Sequence, residues 1–189
     1  SFLNFYEKCL KFRDMLKPKL QIAIGLETVH PEVLLKLNKQ MTLEDFMNSV
    51  NFLTQNGIST RAFILLRPPF LSETEGIIWA KKSIDFAFSV GVESCTVIPV
   101  RGGNGAMDLL MKKGDFSLPD IHSLERVLEY GVNLNKGLVF ADVWDLGLFS
   151  NCKKCFNKRI ERLININLNQ KTENQVLCNC NITSSSIKN

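Results

Sequence analysis

Four short apolar runs, at residues 20–26, 62–66, 93–98 and 138–143, constrain this chain more than any other feature. They are separated by segments whose apolar residues recur every three or four positions. The runs read as strands buried on both faces, because a half-exposed strand alternates apolar with polar residues. Strands that alternate with helical crossovers build a parallel α/β sheet, either open or closed into a barrel.

The helical segments carry their own punctuation. Residues 2–16 place Leu3, Tyr6, Leu10 and Met15 at helical spacing. Pro31 opens a short helix through Leu37. Thr42 with Asp45 caps the next helix, whose stripe is Leu43, Phe46, Met47, Val50 and Leu53, and Gly57 stops it. After the second run and the pair Pro68 and Pro69, Ser72 with Glu75 forms a further capping box. Ile77, Ile84, Ala87 and Phe88 line that helix up to Gly91. Residues 106–113 make a short helix, and 119–130 another with Ile121, Leu124, Val127 and Leu128 inward.

In parallel sheets the reactive groups collect at the carboxyl ends of the strands. Glu27, Arg67, residues 99–104 and Asp142 all follow an apolar run, so they are expected on one rim. The loop Arg101-Gly102-Gly103-Asn104-Gly105 lets a ligand approach the backbone, but it lacks the Gly-Lys-Ser/Thr of a phosphate-binding loop and the glycine spacing of a dinucleotide fold. Cys9 and Cys95 read as core thiols, His30 and His122 as structural or exposed, and Trp79 and Trp144 as core residues.

Beyond Asp145 the chain turns basic and Asn-rich. Cys152-Lys-Lys-Cys155 and Cys178-Asn-Cys180 can direct four thiolates at one ion, with structural zinc favoured over an iron-sulfur centre and unrelated free thiols as the alternative. Lys153, Lys154, Lys158, Arg159 and Arg162 on the intervening helix form either a phosphate-facing surface or a plain solvated face. The expected division is 1–149 for the α/β part, 150–180 for the four-Cys segment, and 181–189 for a disordered tail. A net charge of +4 in 189 residues permits a polyanionic partner without requiring one. No apolar run approaches a membrane span. Six cysteines without an export signal point to a cytoplasmic protein with free or metal-bound thiols.

The segments IGLETVHPEVLLKLNKQMTLEDF, RAFILLRPPF, VIPVRGGNGAM and FADVWDL, followed by C-x-x-C and C-x-C, together resemble the radical S-adenosylmethionine (SAM) enzymes of the Elp3/MiaB/NifB type. Within them the branch containing the radical SAM subunit of archaeosine synthase, a tRNA-modifying lyase, is the most similar. The resemblance implies that residues 20–26 are the fourth strand of a partial (β/α)6 barrel, of which this chain is the C-terminal part. It implies that Glu27 meets the ribose of SAM and Lys39 its carboxylate, with Ile98, Pro99 and Val100 near the adenine. Arg101, Gly102, Gly103 and Asn104 would face the substrate, and Arg67 and Asp142 are further substrate-side candidates. It also implies a 4Fe-4S cluster, a tRNA or tRNA-derived substrate and a partner subunit that supplies it.

The family binds its cluster through C-x3-C-x2-C, which these residues lack. The expectation is therefore a fragment whose missing N-terminal part carries the cluster ligands and the first strands, inactive by itself and poorly soluble through its exposed sheet edges. The competing reading is a non-catalytic, zinc-stapled α/β module that binds RNA. A third is a barrel lyase forming a Schiff base through Lys39 or another strand-end lysine, against which stands the absence of lysine from every expected strand.

Overall fold

A computed structural model describes residues 2–16 and 19–180. The expected disordered tail, 181–189, lies outside the described residues. Strands β1 (Gln21–Glu27), β2 (Ser59–Leu66), β3 (Ser94–Pro99) and β4 (Leu138–Ala141) form one sheet in the order β1-β2-β3-β4, every pair parallel. The helices are α1 (Phe2–Met15), α2 (Pro31–Lys36), α3 (Leu43–Gln55), α4 (Glu73–Ser89), α5 (Gly105–Lys113), α6 (Ile121–Asn133) and α7 (Phe156–Asn169). The chain is thus α/β with a parallel sheet, as its alternating pattern dictates.

The helix boundaries follow from the caps. Thr42 Oγ accepts the Asp45 N–H while the Asp45 carboxylate accepts the Thr42 N–H, and Ser72 with Glu75 does the same at the start of α4. Phe46, Val50 and Leu53 of α3, Ile77, Ile84 and Ala87 of α4, and Ile121, Leu124, Val127 and Leu128 of α6 bury one stripe each. They pack on Ile24, Leu26, Ala62, Ile64, Leu66, Cys95, Val97, Val139 and Ala141, one face of the sheet. Close approach of α6 to β4 requires Gly131, where a Cβ would stand 2.8 Å from Val139 Cγ1.

Burial alternates along all four strands, so among the described residues only one face is fully covered. This corrects the expectation of strands buried on both sides. On the other face Ala23 is exposed, and Phe63, Leu65, Thr96, Ile98 and Phe140 are only half-buried. Arg61 lies on the same face, donating to Gln21 at 3.0 Å and Thr96 at 3.2 Å over the Phe140 ring. Met15 is 80% exposed, and among the described side chains of α1 Cys9 is the one that is buried in the core. α1 is held by Tyr6, whose ring stacks on Phe52 at 4.1 Å, and by Arg13 donating to the Asn56 carbonyl at 2.9 Å.

The two sheet edges differ. β1 pairs with no strand on its outer side among the described residues. At β4, α7 and the residue that ends it supply two side-chain amides in place of a strand. Asn167 exchanges two hydrogen bonds of 2.8 Å with the backbone of Ala141, and Gln170 exchanges bonds of 2.8 and 3.0 Å with that of Val139.

Candidate functional site

The rim at the carboxyl ends of the strands holds four non-glycine residues in the left-handed region: Glu27 (φ 63°) at the end of β1, Arg67 (φ 54°) and Phe70 (φ 72°) after β2, and Asp145 (φ 50°) after β4. Each such conformation costs about 1–3 kcal/mol, and such strain concentrates at binding and catalytic sites. Glu27 follows a bulge, because Gly25 pairs with Phe63 but Glu27 pairs with the next residue, Ile64. Bulges re-aim a side chain at the end of a strand.

Glu27 Oε1 accepts from Lys39 Nζ, which also donates to the Gly25 carbonyl at 2.5 Å. A Cβ on Gly25 would run into both Lys39 Nζ and Glu27 Oε1, so glycine there makes room for the pair. Glu27 Oε2 accepts no hydrogen bond among the described residues. It is free to accept a ligand hydroxyl, which a carboxylate does strongly.

A second cluster lies beyond β3 and β4. Arg101 pairs with Asp142 Oδ2 at 3.0 Å, donates to the Trp144 carbonyl at 2.5 Å and the Pro99 carbonyl at 3.5 Å, and lies 5.6 Å from the centre of the Phe149 ring. Its Nε is buried with no partner. Asp142 Oδ1 accepts the Trp144 N–H at 3.0 Å. Arg101, Asp142, Trp144 and Asp145 line a hollow of about 180 Å³.

Ile98 sits on the open face opposite Leu65, Pro99 is buried, and the Val100 N–H continues the pairing to Leu66. Gly102 and Gly103 carry the chain to Asn104, which caps α5 by accepting the Met107 N–H at 2.9 Å. Gly103 takes a φ of 90°. Arg67 does not join this cluster. Its guanidinium is held by Glu73 at 2.6 Å and the Leu118 carbonyl at 2.7 Å, on the α4 side of the rim.

The four tail cysteines converge. Cys152 and Cys178 Sγ atoms are 3.7 Å apart, Cys155 and Cys180 3.5 Å, and all four lie within 4.8 Å of one another. Zinc–sulfur bonds of about 2.3 Å in a tetrahedron put the sulfurs about 3.8 Å apart, so the group can hold a metal ion of that kind. Backbone N–H groups of Cys155 and Lys154 draw the Cys152 thiol down to about 6, as they would stabilise a thiolate ligand. Burial and the neighbouring thiols push Cys180 up to about 12. The spacing does not suit a 4Fe-4S cluster, whose own iron and sulfide atoms hold its thiolates farther apart. Cys9 and Cys95 are separate and buried, and desolvation pushes Cys95 up to about 12.

Arg159 and Arg162, expected among solvent- or phosphate-facing cations, are a correction. They are 2% and 3% exposed and clasp Glu125 of α6, at 2.5 and 3.2 Å. Arg159 Nε donates to Cys155 Sγ at 3.2 Å, and the two guanidiniums also donate to the carbonyls of Glu173, Asn174 and Val176. Lys153, Lys154 and Lys158 are exposed. A cavity of about 560 Å³ lies over this network rather than at the strand ends, and its buried charges are paired with one another.

No family model matches the chain. An uncharacterized protein of Methanocaldococcus jannaschii is 24% identical over 183 residues, covering 92% of this chain and 50% of that protein. Archaeosine synthase subunit beta of Methanosarcina acetivorans is 25% identical over 177 residues, 88% of this chain and 50% of its own length. The protein of the same name from Thermococcus kodakarensis is 35% identical over 86 residues, 44% of this chain and 26% of its own. The chain spans about half the length of the first and the Methanosarcina relative. No helix among the described residues is long and apolar enough to cross a membrane.

Trp144 is the site residue that the sequence misplaced. It is 73% exposed rather than core. The signal was its position three residues beyond the last buried strand residue, between two aspartates. Trp79, by contrast, is half-buried against His30, with ring centres 4.4 Å apart.

Proposed function

We propose that this chain forms the cofactor- and substrate-facing part of the barrel in a cytoplasmic, tRNA-modifying radical SAM enzyme that works with a partner subunit. The observation that carries the reading is the Glu27–Lys39 pair, set on a bulged strand end at the margin of an open, apolar sheet face. An uncovered face bearing Phe63, Leu65, Ile98 and Phe140 is half of an enclosed site. Relatives named archaeosine synthase subunit beta support the tRNA substrate and the partner.

In this reading Glu27 Oε2 accepts the ribose hydroxyls of SAM while Lys39 balances its carboxylate. Ile98, Pro99 and Val100 supply apolar surface for the adenine. Arg101, Gly102, Gly103, Asn104 and Asp142 face the substrate, and Arg67 orients the β2 end through Glu73. SAM, when bound, supplies a 5′-deoxyadenosyl radical for hydrogen abstraction. The described cysteines do not suit the 4Fe-4S cluster of that chemistry, and the part of this chain is confined to binding and orientation. Glu27→Ala in the intact protein should weaken SAM binding about 10- to 150-fold, the worth of one hydrogen bond to a charged group, with iron content unchanged. SAM affinity equal to wild type would remove Glu27 from the site.

The four-sulfur geometry and the exposed Lys153, Lys154 and Lys158 favour one second reading: a non-catalytic, zinc-stapled module that binds RNA. It predicts stoichiometric zinc, RNA affinity that falls steeply with salt, and no SAM binding. A Schiff-base lyase is disfavoured, because none of the four strands contains a lysine.

A further inference from the structure

We infer that the hollow beyond β4 is a stacking site for one nucleobase of the substrate, with Trp144 as its platform and Asp145 as the reader of the base edge. This rests on the tRNA reading above and goes further, by naming which side chains touch the base and which edge they select.

Three observations converge on it. Trp144 is 73% exposed, yet its backbone is clamped on both sides: Asp142 accepts its N–H at 3.0 Å and Arg101 holds its carbonyl at 2.5 Å. The backbone that carries the indole is thereby fixed while the ring faces solvent, and aromatic side chains at such positions stack bases that are splayed from their helix. Next to it, Asp145 is exposed, and its carboxylate makes no hydrogen bond to the turn Leu146–Phe149 that it precedes. On the third side, Arg101 lines the hollow, fixed by Asp142 and the Trp144 carbonyl. A ring with a π face and N–H donors on one edge meets both the indole and the Asp145 carboxylate.

Size and charge narrow the ligand. The hollow, about 180 Å³, is smaller than the roughly 300–1,000 Å³ of pockets that enclose a whole ligand. It suits a single base whose sugar and phosphate remain outside. A free carboxylate accepts N–H and repels carbonyl oxygen. Guanine, with two N–H donors side by side, fits it best. Uracil flanks its single N–H with two carbonyls and fits worst.

The test uses the intact protein with an unmodified tRNA transcript, and separately guanosine and uridine monophosphates read by the fluorescence difference between the protein and its Trp144→Phe variant. Trp144→Ala should weaken tRNA binding about 5- to 150-fold, the range for one stacked base, and Trp144→Phe should recover most of it. Guanosine monophosphate should quench Trp144 more strongly than uridine monophosphate, and Asp145→Asn should erase that preference. Trp144 is exposed, so an unchanged thermal melt is the control for folding. Wild-type tRNA binding that Trp144→Ala leaves untouched would overturn the stacking site while the tRNA reading stands. Selective quenching by guanosine monophosphate without any tRNA binding would keep the stacking site and overturn the tRNA reading. Neither response would overturn both.

Discussion

Glu125→Ala tests whether the buried arginines and the metal group act as one unit. Glu125 is 5% exposed, and its two oxygens neutralise Arg159 and Arg162. Removing it leaves Arg162 with Glu129, itself partly exposed, and Arg159 with the Cys155 sulfur and the field of Asp120 in a desolvated space. Breaking a buried ion pair in this way costs about 3–5 kcal/mol. The cost need not unfold the sheet, because the strained part can leave by itself. Residues 173–176 are fastened through carbonyls that the same arginines hold, and they lead directly to Cys178 and Cys180. If the segment detaches, the second thiolate pair leaves the first. The full cost then appears as lost zinc affinity of about 150- to 5,000-fold, at about 1.4 kcal/mol per decade. Zinc competition against a chromogenic chelator measures this, and amide hydrogen exchange at residues 173–180 locates the opening. Glu125→Gln, which keeps an acceptor, should lose less. Zinc affinity within threefold of wild type for Glu125→Ala would refute the coupling, and an unchanged urea midpoint as well would refute the cost assigned to the buried charges.

Two further predictions concern the scaffold. Hydrogen bonds from the Thr42 backbone and hydroxyl hold Asp45 below its ordinary value of 3.8, and those from the Ser72 hydroxyl and backbone hold Glu75 below 4.5. Folded values that are depressed contribute stability above the ordinary values and lose it as pH falls through them toward the lowered ones. Melting temperature should therefore fall on acidification less steeply in Asp45→Asn with Glu75→Gln than in wild type, and parallel curves would discount the caps. Gly131→Ala gains about 1 kcal/mol of helix propensity but drives a methyl into Val139, an overpacking cost of about 1–3 kcal/mol. A melting temperature above wild type would show that α6 can back away from β4.

The helical stripes were legible because apolar spacing and capping residues are local properties. Phe46, Val50 and Leu53 in α3, and Ile121, Leu124, Val127 and Leu128 in α6, point where their spacing says. The strands were legible in place but not in burial, since an apolar run looks the same whether its second face is covered or awaits cover. Arg159 and Arg162 read as solvated because the partner that buries them, Glu125, is 34 and 37 residues away. The four cysteines were found by spacing alone, because two short-range pairs at opposite ends of one helix can meet only if the chain turns back. Glu27 was visible as an acid at a strand end, whereas its bulge and its pairing with Lys39 required the structure.

The side-chain amides of Asn167 and Gln170 give the sheet a valence. With β4 saturated, β1 is the outer strand of the described sheet whose backbone can accept another, so this sheet can be extended from one side only. Two sheets could pair edge to edge, but a third would find nothing to hold. Without those two amides each sheet would have two sticky ends, and the same chain could polymerise into a filament. Two polar residues at the end of one helix thus separate a sheet that can be completed from one that can only be extended.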